Sequence, residues 1–237
     1  MPSFETIGYA VLGGIVPALI WLYFLLKEDA EHPEPKSLIA LAFFAGALAV
    51  PLAIPLEEAA RSRLALLGLA ATSLPVLVSW AIAEETLKYL AGALFILWRS
   101  AVDEAPDYVI YLITVALGFA ACENALFLLA PLSSGQFLLG FETDNLRFVG
   151  STLLHVVASA SIGFALAFSW KKSPLARIVY AAAGLILAVG LHAAFNALII
   201  SGGGSAALSA FFLVWSAAVV FFALFEVLKY FQYRSAA

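Results

Sequence analysis

Charged residues gather into clusters along this chain, and the largely apolar runs between those clusters reach the length of a lipid bilayer. Seven such runs, of 20 to 25 residues each, cover 7–26, 37–56, 75–97, 108–130, 146–170, 178–200 and 208–230. About 20 residues at ~1.5 Å rise cross a hydrocarbon core of about 30 Å. Inside lipid the backbone has to satisfy its own polar groups, and a single run can do so only as a helix. Composition removes the soluble alternative: 64% of residues are hydrophobic, 12% are charged, and mean hydropathy is +1.01. A water-facing globule lacks the interior to hide that much apolar surface. The sequence therefore predicts an all-α polytopic membrane helix bundle with about seven to eight transmembrane helices, forming a single domain over 1–237.

The first run, Ile7–Leu26, lacks the basic lead of a signal peptide and is long enough to span. Leu64–Ser73 is apolar but only half a span long. It is expected to lie as an interfacial helix, with Pro75 kinking the chain into the third span; half of an eighth span is the alternative. The stretch Gly202-Gly203-Gly204 reads as a short flexible loop. Lys and Arg bias orients the bundle. With the N-terminus outside, eight basic residues fall in inner segments (Lys27, Lys36, Arg99, Lys171, Lys172, Arg177, Lys229, Arg234) and three in outer ones (Arg61, Arg63, Arg147). The C-terminus is then cytoplasmic. A net charge of −4 without a basic stripe excludes nucleic acid as a partner. Cys122 is the lone cysteine, which rules out an internal disulfide and a cysteine-based zinc cluster; it reads as a buried, inert thiol.

Ionisable groups at membrane depth are costly and mark function by default. Here they are Glu84-Glu85-x-x-Lys88, Glu123-Asn124, His155 and His192-x-x-x-Asn196. Glu84, Glu123, His155 and His192 each lie about 4 to 6 Å from the midpoint of their run, all toward the same side. Bland readings exist for each one. Glu84 and Lys88 could neutralise each other on one helix face, and Asn196 could be interhelical glue. Four runs bringing an acid or imidazole to one level favours a shared site. Adjacent carboxylates suit proton transfer to and from water, a histidine can share that work, and Asn with a second histidine can donate to an oxyanion. That chemistry is peptide hydrolysis. The same groups could relay protons or cations in a transporter, or Glu123, His155 and His192 could hold a catalytic zinc, although no HExxH spacing is present.

The ordered motifs resemble the PrsW family of intramembrane proteases, relatives of the type II CAAX prenyl endopeptidases. The resemblance runs from Trp21-Leu-Tyr23 and the acidic loop Lys27–Pro35, through Glu84-Glu85-Thr-Leu-Lys88, Asp107 and Gly118-Phe119-Ala-Ala-Cys-Glu123-Asn124, to His155 and His192-Ala-Ala-Phe-Asn196. It implies a CAAX-protease-like fold with a central polar cavity in a prokaryotic cytoplasmic membrane, where Glu84 activates water. His192 and Asn196 would hold the oxyanion. The CAAX endopeptidases use a histidine four residues after a phenylalanine; this chain has Phe119-x-x-x-Glu123 there, which leaves His155 as the candidate for that role. Membrane-anchored proteins, anti-sigma factors among them, are the implied substrates. The candidate catalytic set is thus Glu84, Glu85, Glu123, His155, His192 and Asn196, expected to converge within about 8 Å. Lys88 is expected beside Glu84 and outside the chemistry. Zinc and a metal-free mechanism both stay open, with the balance toward metal-free because carboxylates outnumber what one zinc uses. A transporter would show inverted repeats with broken helices in both halves. A non-catalytic scaffold of the γ-secretase type would not need every acid and both imidazoles.

Overall fold

The computed structural model describes residues 2–30, 32–139, 147–201 and 204–234. Among them run seven long helices: α1 (Phe4–Glu28), α2 (Lys36–Ala65), α3 (Leu74–Phe95), α4 (Ala105–Ser133), α5 (Thr152–Phe168), α6 (Pro174–Ser201) and α7 (Gly204–Arg234). A π-helical turn, Arg147–Ser151, leads into α5. All but α3 are long and apolar enough to cross a membrane, α5 together with the turn from Val149. The charges Glu84, Glu85 and Lys88 set α3 apart by composition. All three are buried, so α3 keeps its charge away from lipid. The chain is an integral membrane protein built as an all-α helix bundle.

Helix α4 sits at the centre. Every residue from Ala105 to Ala121 is buried, and α4 packs against α1, α2 and α5. Its start is written locally: Pro106 stands in the first turn, and the Asp107 carboxylate accepts the backbone N–H of Glu104 at 2.8 Å, one arm of a capping box. Glycines let α2 and α4 meet backbone to backbone. A Cβ on Gly118 would come within 1.8 Å of the Phe43 carbonyl oxygen, and one on Gly46 within 1.8 Å of the Val115 carbonyl oxygen. Small residues at such contacts are how membrane helices gain packing without a hydrophobic driving force.

The stretch Leu64–Ser73 departs from expectation. Helix α2 runs on past Leu56 to Ala65, and Leu66–Ser73 is a turn-rich loop in place of an interfacial helix. The Trp80 indole N–H donates to the Glu57 carbonyl at 3.1 Å and ties the extension to α3, while Glu58 pairs with Arg61 on the exposed side at 2.6 Å. Gly68, at φ +78°, adopts the left-handed conformation that ends a helix. Pro75 falls in the first turn of α3, where its missing N–H costs nothing, so it starts the helix and does not kink it. Gly202 and Gly203 of the expected flexible loop lie outside the described residues, as does Leu146, the expected start of the fifth span; Gly204 opens α7.

Contacts divide the bundle into two ends. At one, Lys229 of α7 donates to the Glu28 carbonyl of α1 at 2.9 Å, and Tyr108 of α4 meets Arg177 and Trp170. There the Tyr111 hydroxyl donates to Glu34 at 2.5 Å, and exposed His32 lies 3.5 Å from Glu104. Asp29, buried at this end, has its pKa raised from 3.8 to about 7, mainly by burial and then by the charges of Asp107 and Glu104, with His32 and Lys229 opposing. A carboxyl that binds its proton more tightly when folded stabilises the fold fully below about pH 3.8, and that contribution fades as pH rises through about 7. The thermal midpoint in detergent should therefore fall between pH 5 and pH 8, and Asp29→Asn should flatten that fall. Scanning fluorimetry across the range checks it.

Candidate active site

The other end gathers the ionisable residues. Glu123 and His192 lie in the C-terminal halves of α4 and α6, Glu84 and Glu85 near the middle of α3, and His155 in the first turns of α5. Antiparallel neighbours present such positions at one level. His155 follows close on the start of regular α-helix at Thr152, within the candidate span Val149–Phe168. Asn124 secures that start: its amide donates to the Thr152 hydroxyl at 2.9 Å, inside the core. The Glu123-Asn124 pair thus divides its work, one residue reaching the cluster and the other fixing α5.

Glu85 is the buried hub. Its Oε1 accepts from the Lys88 ammonium at 2.5 Å and bonds His192 Nδ1 at 2.6 Å. Lys88 also bonds His155 Nδ1 at 2.9 Å, and His155 Nε2 bonds Glu123 Oε2 at 3.0 Å. The result is a continuous chain, His192–Glu85–Lys88–His155–Glu123, drawn from four helices. Phe119 closes it from one side, with its ring centroid 4.8 Å from Lys88 Nζ and 5.4 Å from the His155 ring. The two imidazoles stand edge to face, 5.3 Å apart. Lys88 therefore pairs with Glu85, three residues back, and not with Glu84 as expected; it is part of the network.

Glu84 differs from Glu85. Its carboxylate is buried, and Oε2 has no hydrogen-bond partner in the protein. That oxygen lies 3.8 Å from His192 Nε2 and 4.0 Å from His155 Nδ1. The two adjacent acids on one helix thus have different surroundings: Glu85 Oε1 bonds Lys88 and His192 while its Oε2 has no hydrogen-bond partner, and Glu84 Oε2 faces imidazole nitrogens beyond bonding range. Asn196, half-buried, follows His192 by one turn on the same face of α6.

One neighbour was missed in the sequence. Glu57 is half-buried and within electrostatic reach of Glu123, Glu84, His192 and Lys88. Ending the second span at Leu56 hid it. The signal existed, since Gly46, Ala49, Val50 and Ala53 form the buried stripe of α2, and the next step of that stripe is residue 57.

Residues 34–226 match the PrsW family, described as intramembrane metalloproteases. Protease PrsW of Geobacillus kaustophilus (strain HTA426) is 30% identical over 196 residues, covering 81% of this chain and 80% of that protein. No solved structure matches. With four-fifths of its length aligned and a polar cluster enclosed by its apolar helices, the chain belongs to the PrsW family of intramembrane proteases.

Proposed function

We propose that this protease cleaves membrane-anchored protein substrates, anti-sigma factors among the candidate classes, with a water activated by Glu84. One observation carries the assignment of the base: Glu84 Oε2 is buried without a protein partner and faces two imidazole nitrogens at 3.8 and 4.0 Å. Buried carboxylate oxygens are seldom left unsatisfied, and one water can hydrogen-bond to the oxygen and an imidazole across that spacing. With the N-terminus outside, as the Lys and Arg bias argues, the cluster faces the extracytoplasmic half of a prokaryotic cytoplasmic membrane.

The family description implies a metal. The donors nearest to forming a site are Glu84, His155 and His192, whose ligand atoms lie within 4.8 Å of one another. His155 faces Glu84 with Nδ1, and the Lys88 ammonium holds that nitrogen at 2.9 Å. An ammonium and a divalent ion cannot share one lone pair. Two donors remain, one fewer than the three protein ligands of catalytic zinc sites. These residues do not fit a resident metal, and the mechanism runs on the chain's own groups.

Glu84 takes a proton from the water as its oxygen attacks the carbonyl carbon of the scissile bond. Glu85 holds His192 through Nδ1, which aims Nε2 toward Glu84. Protonated there, His192 donates to the tetrahedral oxyanion, with the Asn196 amide as second donor. The intermediate collapses as the C–N bond breaks, and Glu84 returns the proton to the departing amine. His155 and Glu123 keep the opposite wall polar.

Two results follow. Asn196→Ala should lower turnover by roughly 100- to 1,000-fold with substrate capture retained, measured with a tagged single-span substrate in proteoliposomes. Exhaustive chelation should leave wild-type turnover unchanged, and cleavage lost with the chelator but restored by zinc would overturn the metal-free assignment.

A further inference from the structure

The lysine at the centre of the network has a consequence beyond its pairing with Glu85. We propose that Lys88 is the resident cation of this cluster: its ammonium occupies the imidazole nitrogen that a divalent metal would need, which keeps the site metal-free and holds His155 as the Nε2–H tautomer. This rests on the reading of the cluster as the active site only for its catalytic meaning; its binding prediction stands apart from cleavage.

Lys88, Glu85 and His155 are almost fully buried, at 1%, 0% and 1% exposure. At that burial no water screens the ammonium, and its position is set by protein partners alone. Those partners are Glu85 Oε1 at 2.5 Å, His155 Nδ1 at 2.9 Å and the face of Phe119 at 4.8 Å. An ammonium has only donors, so the ring nitrogen it meets is the acceptor. The imidazole proton then sits on Nε2, directed at Glu123 Oε2 at 3.0 Å. Lys88 is thus a positioning residue that sets which nitrogen of His155 carries hydrogen.

The same contact decides the metal question. Without the ammonium, His155 Nδ1, His192 Nε2 and Glu84 Oε2 would be three donors grouped around one point. Glu85 on His192 Nδ1 already has the arrangement of an outer-shell carboxylate on a metal-bound imidazole. The cluster is one side chain away from a His₂Glu zinc site, and that side chain carries the positive charge that repels the ion.

The test needs no substrate. Purified protein in detergent is titrated with Zn²⁺ and with Co²⁺, read by visible absorption and by metal content after dialysis. Wild type and Lys88→Arg should retain no stoichiometric metal. Lys88→Met should gain roughly 10- to 100-fold in affinity, with the Co²⁺ spectrum of a low-coordinate nitrogen and oxygen site. Should Lys88→Met misfold because Glu85 is left buried and uncompensated, Lys88→Met with Glu85→Gln removes both charges. In ¹⁵N-histidine-labelled wild type, assigned against His32→Gln and His155→Gln, the His155 ring should show Nε2–H. A wild type that holds one zinc per chain, a lysine-free variant with no gain, or an Nδ1–H ring would each overturn the proposal. Cleavage by Glu84→Gln, assayed in parallel, reports separately on the protease reading.

Discussion

Glu84→Gln is expected to lower cleavage of a membrane-anchored substrate by roughly 100- to 10,000-fold, the usual contribution of a general base. The substitution keeps the shape of the side chain and removes a buried carboxylate whose oxygen faces both imidazoles. Substrate capture should persist, because the side chain keeps its size, so a tagged single-span protein should still co-purify with the variant. Folding should persist too, since the Glu84 Oε2 that changes has no protein partner to lose. Glu85→Gln should behave differently. It strips charge from a carboxylate bonded to both Lys88 and His192 and leaves the Lys88 ammonium buried and uncompensated, so it should lower the thermal midpoint as well as turnover. If Glu84→Gln cleaves at the wild-type rate, Glu84 is not the base and Glu123 or Glu57 becomes the carboxylate to test.

Gly118→Ala should be among the most damaging single-methyl changes at the described glycines. The added Cβ would sit 1.8 Å from the Phe43 carbonyl oxygen. That contact is backbone, which no rotamer change can relieve, so α2 and α4 must separate. Overpacking of this kind costs on the order of 1–3 kcal/mol or more, a fall of about 2–12 °C in the thermal midpoint for a chain of this size. Activity should fall further than stability alone predicts. Residue 119 carries the ring over Lys88 and His155, residue 123 bonds His155, and a shift of about 1 Å at such groups can cost roughly 100-fold. Gly46→Ala meets the Val115 carbonyl across the same interface and should act alike, whereas Gly8→Ala meets nothing within 4 Å and should be silent. Equal midpoints for Gly118→Ala and Gly8→Ala, measured in the same detergent, would refute the close-approach account.

Much of the site could be read before any coordinates, because burying charge in lipid is expensive and so charge at depth is rarely incidental. Glu84, Glu85, Glu123, His155 and His192 were marked by that cost alone, and the structure brings them together. Spacing was a poorer guide to partners. Four residues separate Glu84 from Lys88, the better helical register for a pair, yet Lys88 bonds Glu85 because His192 and His155 arrive from α6 and α5 on that side. Glu57 stayed hidden because the second run was closed at the start of a charge cluster, whereas the helix itself runs on to Ala65.

The apolar runs by themselves determined the class of fold, since a chain this poor in charge has no solution in water and only helices satisfy its backbone in lipid. They also determined which side chains would be too costly to leave facing that lipid. Only the tertiary structure decided how those side chains divide their roles. Local sequence sets which face of a helix a residue occupies, but a hydrogen bond between helices depends on their relative depth and rotation, which close contacts such as Gly46 and Gly118 against opposing carbonyls control. That is why one of two neighbouring glutamates is held through one oxygen by Lys88 and His192, while the other is left facing two imidazoles.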